Sequence, residues 1–154
     1  MLMKVYLLDT GILGKITYPT GKGNKPVVQW FQDMLTRKKE FRIPEICDYE
    51  LRRKLLHLKY TRAVQLLDDY CSTVGYLPIS TEAMRLAAEL WAESRSKGKP
   101  TAPPEALDGD VILAAQARVL AQAGFQPIVV TENVGHLAWF TDAQEWKNVN
   151  PAVA

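Results

Sequence analysis

KVYLLDT, residues 4–10, is the stretch on which the fold turns. Val5, Tyr6, Leu7 and Leu8 form a short apolar run, Asp9 ends it, and Thr10-Gly11 breaks it. Such a run, too short for a core helix and bounded by turn formers, reads as a buried strand followed by a turn. The same reading applies downstream to PIVVT, residues 127–131, a β-branched run typical of a parallel strand buried on both faces. Further strand candidates are Phe41 to Pro44, Val74 to Pro78 and, at the tail, Trp146 to Val149 as an edge strand.

Between these runs the apolar spacing changes to that of helices. Pro26 suits the first turn of a helix carrying Val27, Val28, Trp30, Phe31, Met34 and Leu35. Gly14 to Lys25 reads as a loop rich in Gly, Pro and Lys. Ile46–Tyr60 and Arg62–Cys71 read as two helices joined closely enough to form a hairpin. Ser80 or Thr81 caps a long helix with Glu82 early and Lys97 late, matching the helix dipole. GKPTAPPEA, residues 98–106, reads as a proline-rich loop, and Asp108 as the N-cap of a helix that is apolar nearly all round and therefore central. Gly124 stops it. Strands alternating with helices predict an α/β sandwich, a mainly parallel sheet of about five strands flanked by helices, in one domain over residues 1–154.

Composition narrows the function classes. The 154 residues carry 19 basic and 17 acidic side chains, a net charge of +2, too near neutral to announce a nucleic-acid partner by itself. The charge is uneven, since RRKLLHLKYTR, residues 52–62, holds five Lys or Arg and no acid. No apolar run reaches the roughly 18–20 residues a membrane span needs, and Asp9 interrupts the only leader-like stretch, so the cytoplasm is expected. Cys47, Cys71, His57 and His136 lack zinc-site spacing, and the cysteines read as reduced, packed thiols.

In open parallel sheets, ligands collect beyond the carboxyl ends of the strands. Asp9 and Asn133 follow two such ends; Glu50 falls early in one helix, and Asp110, with Asp108 beside it, in the first turn of another. Each has an ordinary structural reading. Asp9 suits an Asx turn, Glu50 an ion pair with Arg53 or Lys54, Asp110 the helix dipole, and Asp108 a cap. Their combination points elsewhere. Crowded carboxylates repel one another, and a hard divalent cation with oxygen ligands relieves that repulsion. Such an ion can activate water against a phosphodiester. Arg52, Arg53 and Lys54 begin two residues after Glu50 and, with Lys59 and Arg62, read either as a solvated helix face or as phosphate contacts, to which Lys15, Lys22 and Lys25 could add.

LLDTGIL, IPEICDYELRRKL, DGDVILAAQA and VVTENVGHL resemble, in order, the four successive signatures of the PIN-domain nucleases, and most closely the VapC toxins of toxin–antitoxin pairs. The resemblance spans nearly the whole chain. It implies a PIN-like three-layer sandwich and a Mg²⁺- or Mn²⁺-dependent endoribonuclease leaving 5′-phosphate and 3′-hydroxyl ends. Asp9, Glu50 and Asp110 match the family's three core acids, and Thr10 the Ser or Thr that often follows the first. Asn133 falls where the family places a fourth Asp or an Asn, and Asp108 adds charge near the third acid. RNA as substrate, a cognate antitoxin and a homodimer are implied in the same way. The competing expectation is a PIN-like module that binds RNA or protein without cutting, because the fourth position is Asn. A haloacid-dehalogenase phosphatase needs a second Asp where Gly11 stands, and no glycine-rich phosphate loop follows a strand.

Overall fold

Strand β1 spans Lys4–Leu8 and is buried from Val5 onward. It lies at the centre of a five-stranded sheet ordered β3-β2-β1-β4-β5, with β2 at Phe41–Pro44, β3 at Tyr76–Leu77, β4 at Gln126–Val130 and β5 at Ala143–Gln144. Every pairing is parallel. The computed structural model describes residues 2–97 and 104–154, with backbone alone at 104–107.

The chain runs outward from β1 to β2 and β3, then returns to the far side of β1 for β4 and β5. Right-handed crossovers therefore place the helices preceding β3 on one face and those after it on the other. The reversal falls between β1 and β4, where Leu8 pairs with Val130. That is the crevice in which open α/β sheets bind ligands.

Seven α-helices flank the sheet among the described residues: α1 Thr10–Ile16, α2 Lys25–Thr36, α3 Glu45–His57, α4 Thr61–Thr73, α5 Thr81–Ser96, α6 Pro104–Gln122 and α7 Val134–Leu137. Helix α6 explains its own all-round apolarity. Leu113, Ala117 and Leu120 join the sheet core, while Val111, Ala114 and Ala115 pack on Ala83, Ala87 and Leu90 of α5. Ser80 caps α5 through Ala83 N–H at 3.0 Å, and Gly124, at φ +99°, ends the chain's passage out of α6 in a conformation that L-residues avoid. The α3–α4 hairpin is present as expected.

Four expectations are corrected. Thr10-Gly11 does not break the chain but opens α1, because Asp9 caps it through Thr10 N–H at 2.7 Å and Ile12, Leu13 and Ile16 have core to bury. Asp108 is not an N-cap. Helix α6 begins at Pro104, so Asp108 is inside it and Asp110 in its second turn; Pro at the first position with Glu, Ala and Leu behind it suits a helix start. The expected loop at 98–106 is helical from Pro104 on, and its residues 98–103 lie outside those described. Finally, Trp146–Asn148 is a short 3₁₀ turn rather than an edge strand. The indole of Trp30 takes the Val149 carbonyl at 2.9 Å, pinning the tail to α2, and β5 fills the edge instead.

Candidate active site

Asp9 stands one residue past β1, and Thr131 stands opposite it, one residue past β4. The Thr131 hydroxyl donates to Asp9 Oδ2 at 2.6 Å and accepts from Asn133 N–H at 2.9 Å. The buried threonine thus ties the two strand ends together and fixes one carboxylate oxygen of Asp9. The other oxygen is held by the α1 cap. Burial raises the Asp9 carboxyl above its ordinary range, and the nearby Glu132 charge adds to the rise, against the two hydrogen bonds. Cys47, a free buried thiol of α3, lies 4.0 Å from Asp9 Oδ1, and burial first, then Asp9, pushes its pKa well up.

Glu50 approaches from the second turn of α3. Its Oε1 accepts from the Thr10 hydroxyl at 2.8 Å, so Thr10 links the first acid's helix to the second acid. On its other side Glu50 meets the backbone of α6. A Cβ placed on Gly109 would come 2.5 Å from Glu50 Oε2, closer than real Cβ contacts come. The missing side chain at position 109 is what lets the Glu50 carboxylate lie against α6.

Asp110 sits one residue further along α6. Its Oδ2 is buried and has no hydrogen-bond partner. The nearest cation candidate, His136 Nδ1 of α7, is 3.7 Å away, beyond hydrogen-bond reach. The Asp110 carboxyl is pushed up to about 6 by burial first, then by the charge of Asp9, with Glu50 adding and His136 opposing. Asp110 therefore feels the charge of both other predicted core acids at the β1/β4 switch point. As the side chains stand, however, no three acid, His or Cys groups among the described residues are close enough to hold a metal ion together.

The remaining predicted residues are more peripheral. Asn133 is exposed, with its amide 3.1 Å from His136 Nδ1. Asp108 is exposed. Arg52 reaches Asp48 through Nε at 3.0 Å and Asp68 through Nη1 at 2.6 Å, so its charge is already matched within the fold. Arg53 is exposed and lies over the Tyr49 ring at 5.0 Å; Lys54 is exposed beside it. Lys15 pairs with Glu132 at the rim. Sequence reasoning passed over Thr131, Gly109 and His136. Of these only Thr131 carried a signal, as a polar residue closing a buried strand in the place that Asp9 takes after β1.

No protein-family model and no curated protein matches this chain. Solved structures do. A chain of VapBC2 from Rickettsia felis, bound to a DNA fragment from its promoter, superposes with a TM-score of 0.67 at 19% identity, covering 92% of this chain and 98% of that one. VapBC-1 of nontypeable Haemophilus influenzae gives 0.65 at 16% identity, over 94% and 99% of the two chains. DNA-bound VapBC of Salmonella typhimurium gives 0.65 at 21% identity, over 95% and 99%. At these identities what is shared is the fold, a PIN-like α/β sandwich.

Proposed function

We propose that this chain is a VapC-like toxin, an endoribonuclease that uses Mg²⁺ or Mn²⁺ at the Asp9–Glu50–Asp110 cluster. The carrying observation is the half-buried Asp110 carboxylate, whose Oδ2 is buried without a partner and which burial, then Asp9 and Glu50, raise to about 6. A hard divalent cation is what an all-oxygen donor set of this kind fits, and its charge would remove the repulsion that lifts Asp110. Asp9, Glu50 and Asp110 would hold it, with at least one side chain leaving its present position, and Asp108 would add negative charge nearby. When bound, the ion stabilises charge on the phosphoryl oxygens and makes water a nucleophile near neutral pH.

The chain's own groups do the rest. Thr10 and Thr131 hold Glu50 and Asp9 against rotation, and Asn133, whose amide meets His136 next to Asp110, offers a neutral group to orient water or phosphate. Water adds to phosphorus, the bond to the 3′-oxygen breaks, and the products are a 5′-phosphate and a 3′-hydroxyl. Arg53 and Lys54, exposed on α3 just past Glu50, take backbone phosphates, a contribution that weakens with salt. Arg52 acts with them by fixing α3 to α4 through Asp48 and Asp68.

The structural neighbours are VapBC assemblies, which supports an antitoxin partner here. A helix of that partner would lie in the groove of the α3–α4 hairpin and bring an Arg or Lys to the carboxylates. A homodimer and a cytoplasmic location accord with this reading; no helix among the described residues is long and apolar enough to cross a membrane.

Two observations favour a non-cutting module instead: the fourth position is Asn133, and among the described residues no ready-made three-ligand cluster exists. A cleavage assay on a mixed RNA pool separates the two readings. A nuclease cuts with Mg²⁺ or Mn²⁺, stops in EDTA and is lost in Asp9→Asn; a binding module retains RNA without cutting under any of these conditions.

A further inference from the structure

Away from the acids, at the far ends of α1 and α3, lies a cleft of about 620 Å³ between the α1–α2 loop and the start of α4. Its mouth is a pair of tyrosines from distant parts of the chain. Tyr18 and Tyr60 stack with ring centroids 6.4 Å apart and planes within 12°. They do so while 55% and 51% exposed, so burial does not explain the pairing. Tyr18 is also held from behind. Its carbonyl accepts from Asn24 Nδ2 at 2.8 Å and from Gly21 N–H at 3.0 Å. A Cβ on Gly21 would fall 2.5 Å from the Tyr18 ring, so the loop backbone is pressed against its edge. The loop thus holds an exposed aromatic face ready-made, which lowers the ordering cost of binding.

The rest of the cleft carries the groups a nucleotide needs. Arg62 offers charge to phosphate, while Gln65 and Asp69 offer an amide and an acceptor to a base edge. The cleft is also in line with the acids. Helix α1 starts next to Asp9 and ends beside Tyr18, and α3 carries Glu50 and ends shortly before Tyr60. The two helices pack together, Gly14 against Leu51. Seven residues of α1 span about 10 Å, the length of roughly three stacked nucleotides.

We propose that the Tyr18–Tyr60 cleft binds a base of single-stranded RNA and so sets which phosphodiester reaches the acids. Stacking on the rings supplies the affinity, and Arg62 fixes the backbone. This rests on the ribonuclease reading above, and the test separates the two. A fluorescein-labelled short oligoadenylate is titrated by anisotropy with the full chain carrying Asp110→Asn, in EDTA, so that nothing is cut. In that background Tyr18→Ala and Tyr60→Ala should each weaken binding about 5- to 150-fold, the range for losing one stacked base. Gly21→Ala, which moves the Tyr18 ring, should weaken it in the same direction, while Tyr60→Phe, which keeps the ring, should stay within about twofold. The inference is overturned if the alanine variants bind like their parent, if Tyr60→Phe loses as much as Tyr60→Ala, or if the parent binds no RNA. It is also overturned if the tyrosines matter only for a co-purifying protein partner, which would make the cleft a protein-docking surface. Metal-dependent cutting unaffected by the tyrosines removes this inference alone; tyrosine-dependent binding without any cutting removes the nuclease reading alone.

Discussion

Helix α3 carries two acids two residues apart, and the fold treats them in opposite ways. Asp48 is fully matched: Arg52 reaches it at 3.0 Å, Tyr76 donates its phenol at 2.7 Å, and Arg52 continues to Asp68. Glu50 is given a threonine hydroxyl and the bare backbone of Gly109, and its neighbours across the cleft are Asp9 and an unpartnered Asp110. An acid kept for structure brings its cation within the chain. At the β1/β4 edge Asp110 has the imidazole of His136 at 3.7 Å, beyond hydrogen-bond reach, in place of a matched cation, and crowded carboxylates carry a repulsion that a divalent cation relieves. The contrast separates scaffold from site more sharply than acidity does.

Five substitutions sharpen or break that contrast. The largest effect is expected at Asp110. Asp110→Asn should lower metal-dependent cleavage at least about 100-fold, since losing even an outer partner of a metal ligand costs about 10- to 100-fold. Asp9→Asn should match it in the same assay. Gly109→Ala comes next. The new methyl displaces the end of a flexible glutamate, so the fold survives and helix propensity rises, but cleavage should fall about 10- to 100-fold because a carboxylate has moved. Unchanged cleavage would mean that Glu50 need not lie against α6.

Arg52→Ala tests the matched acid. It leaves Asp48 partly buried with Tyr76 alone and should cost on the order of 1–3 kcal/mol in denaturant unfolding, discounted because Arg52 is partly exposed. Cleavage per folded molecule should change far less than with Asp110→Asn. A loss of activity without a loss of stability would instead assign Arg52 directly to RNA. Asp108→Asn should be the mildest, within about 0.5 kcal/mol, as expected of an exposed helical position. If Asp108→Asn were inactive and Asp110→Asn active, the third acid would be the wrong one of the pair.

The same contrast has a pH signature in EDTA. Below pH 3.8 Asp110 is protonated in both the folded and the unfolded chain. Between 3.8 and about 6 the folded protein keeps a proton that the unfolded chain has released, so this group's contribution to stability falls as pH rises through that window. The difference between wild type and Asp110→Asn, read by thermal or urea melts at pH 4 and pH 7, should therefore grow in favour of the variant by roughly 1–3 kcal/mol.

What could be read from sequence was what depends on near neighbours. KVYLL and PIVVT announce central strands because their apolar runs are continuous, and Asp9 is visible as the polar residue that ends one. Helix α1 was hidden because Thr-Gly after a strand looks like a turn until Asp9 is seen to cap it. Two-residue β5 has no periodicity to detect. The Asp108 cap failed because Pro104, the seventh residue of the expected proline-rich loop, starts the helix early. Gly109 and His136 matter through contacts with Glu50 and Asp110 that lie far away in sequence, and no local pattern encodes them.

The central claim is that the acids of the β1/β4 edge await a cation. Calorimetric titration of Mn²⁺ into the metal-free chain near pH 6, where Asp110 still holds much of its proton, tests it most directly. Wild type should bind Mn²⁺ with release of protons from Asp110, and Asp110→Asn should lose that binding while remaining folded. Absence of binding by wild type at millimolar Mn²⁺, or equal binding by the variant, would contradict it.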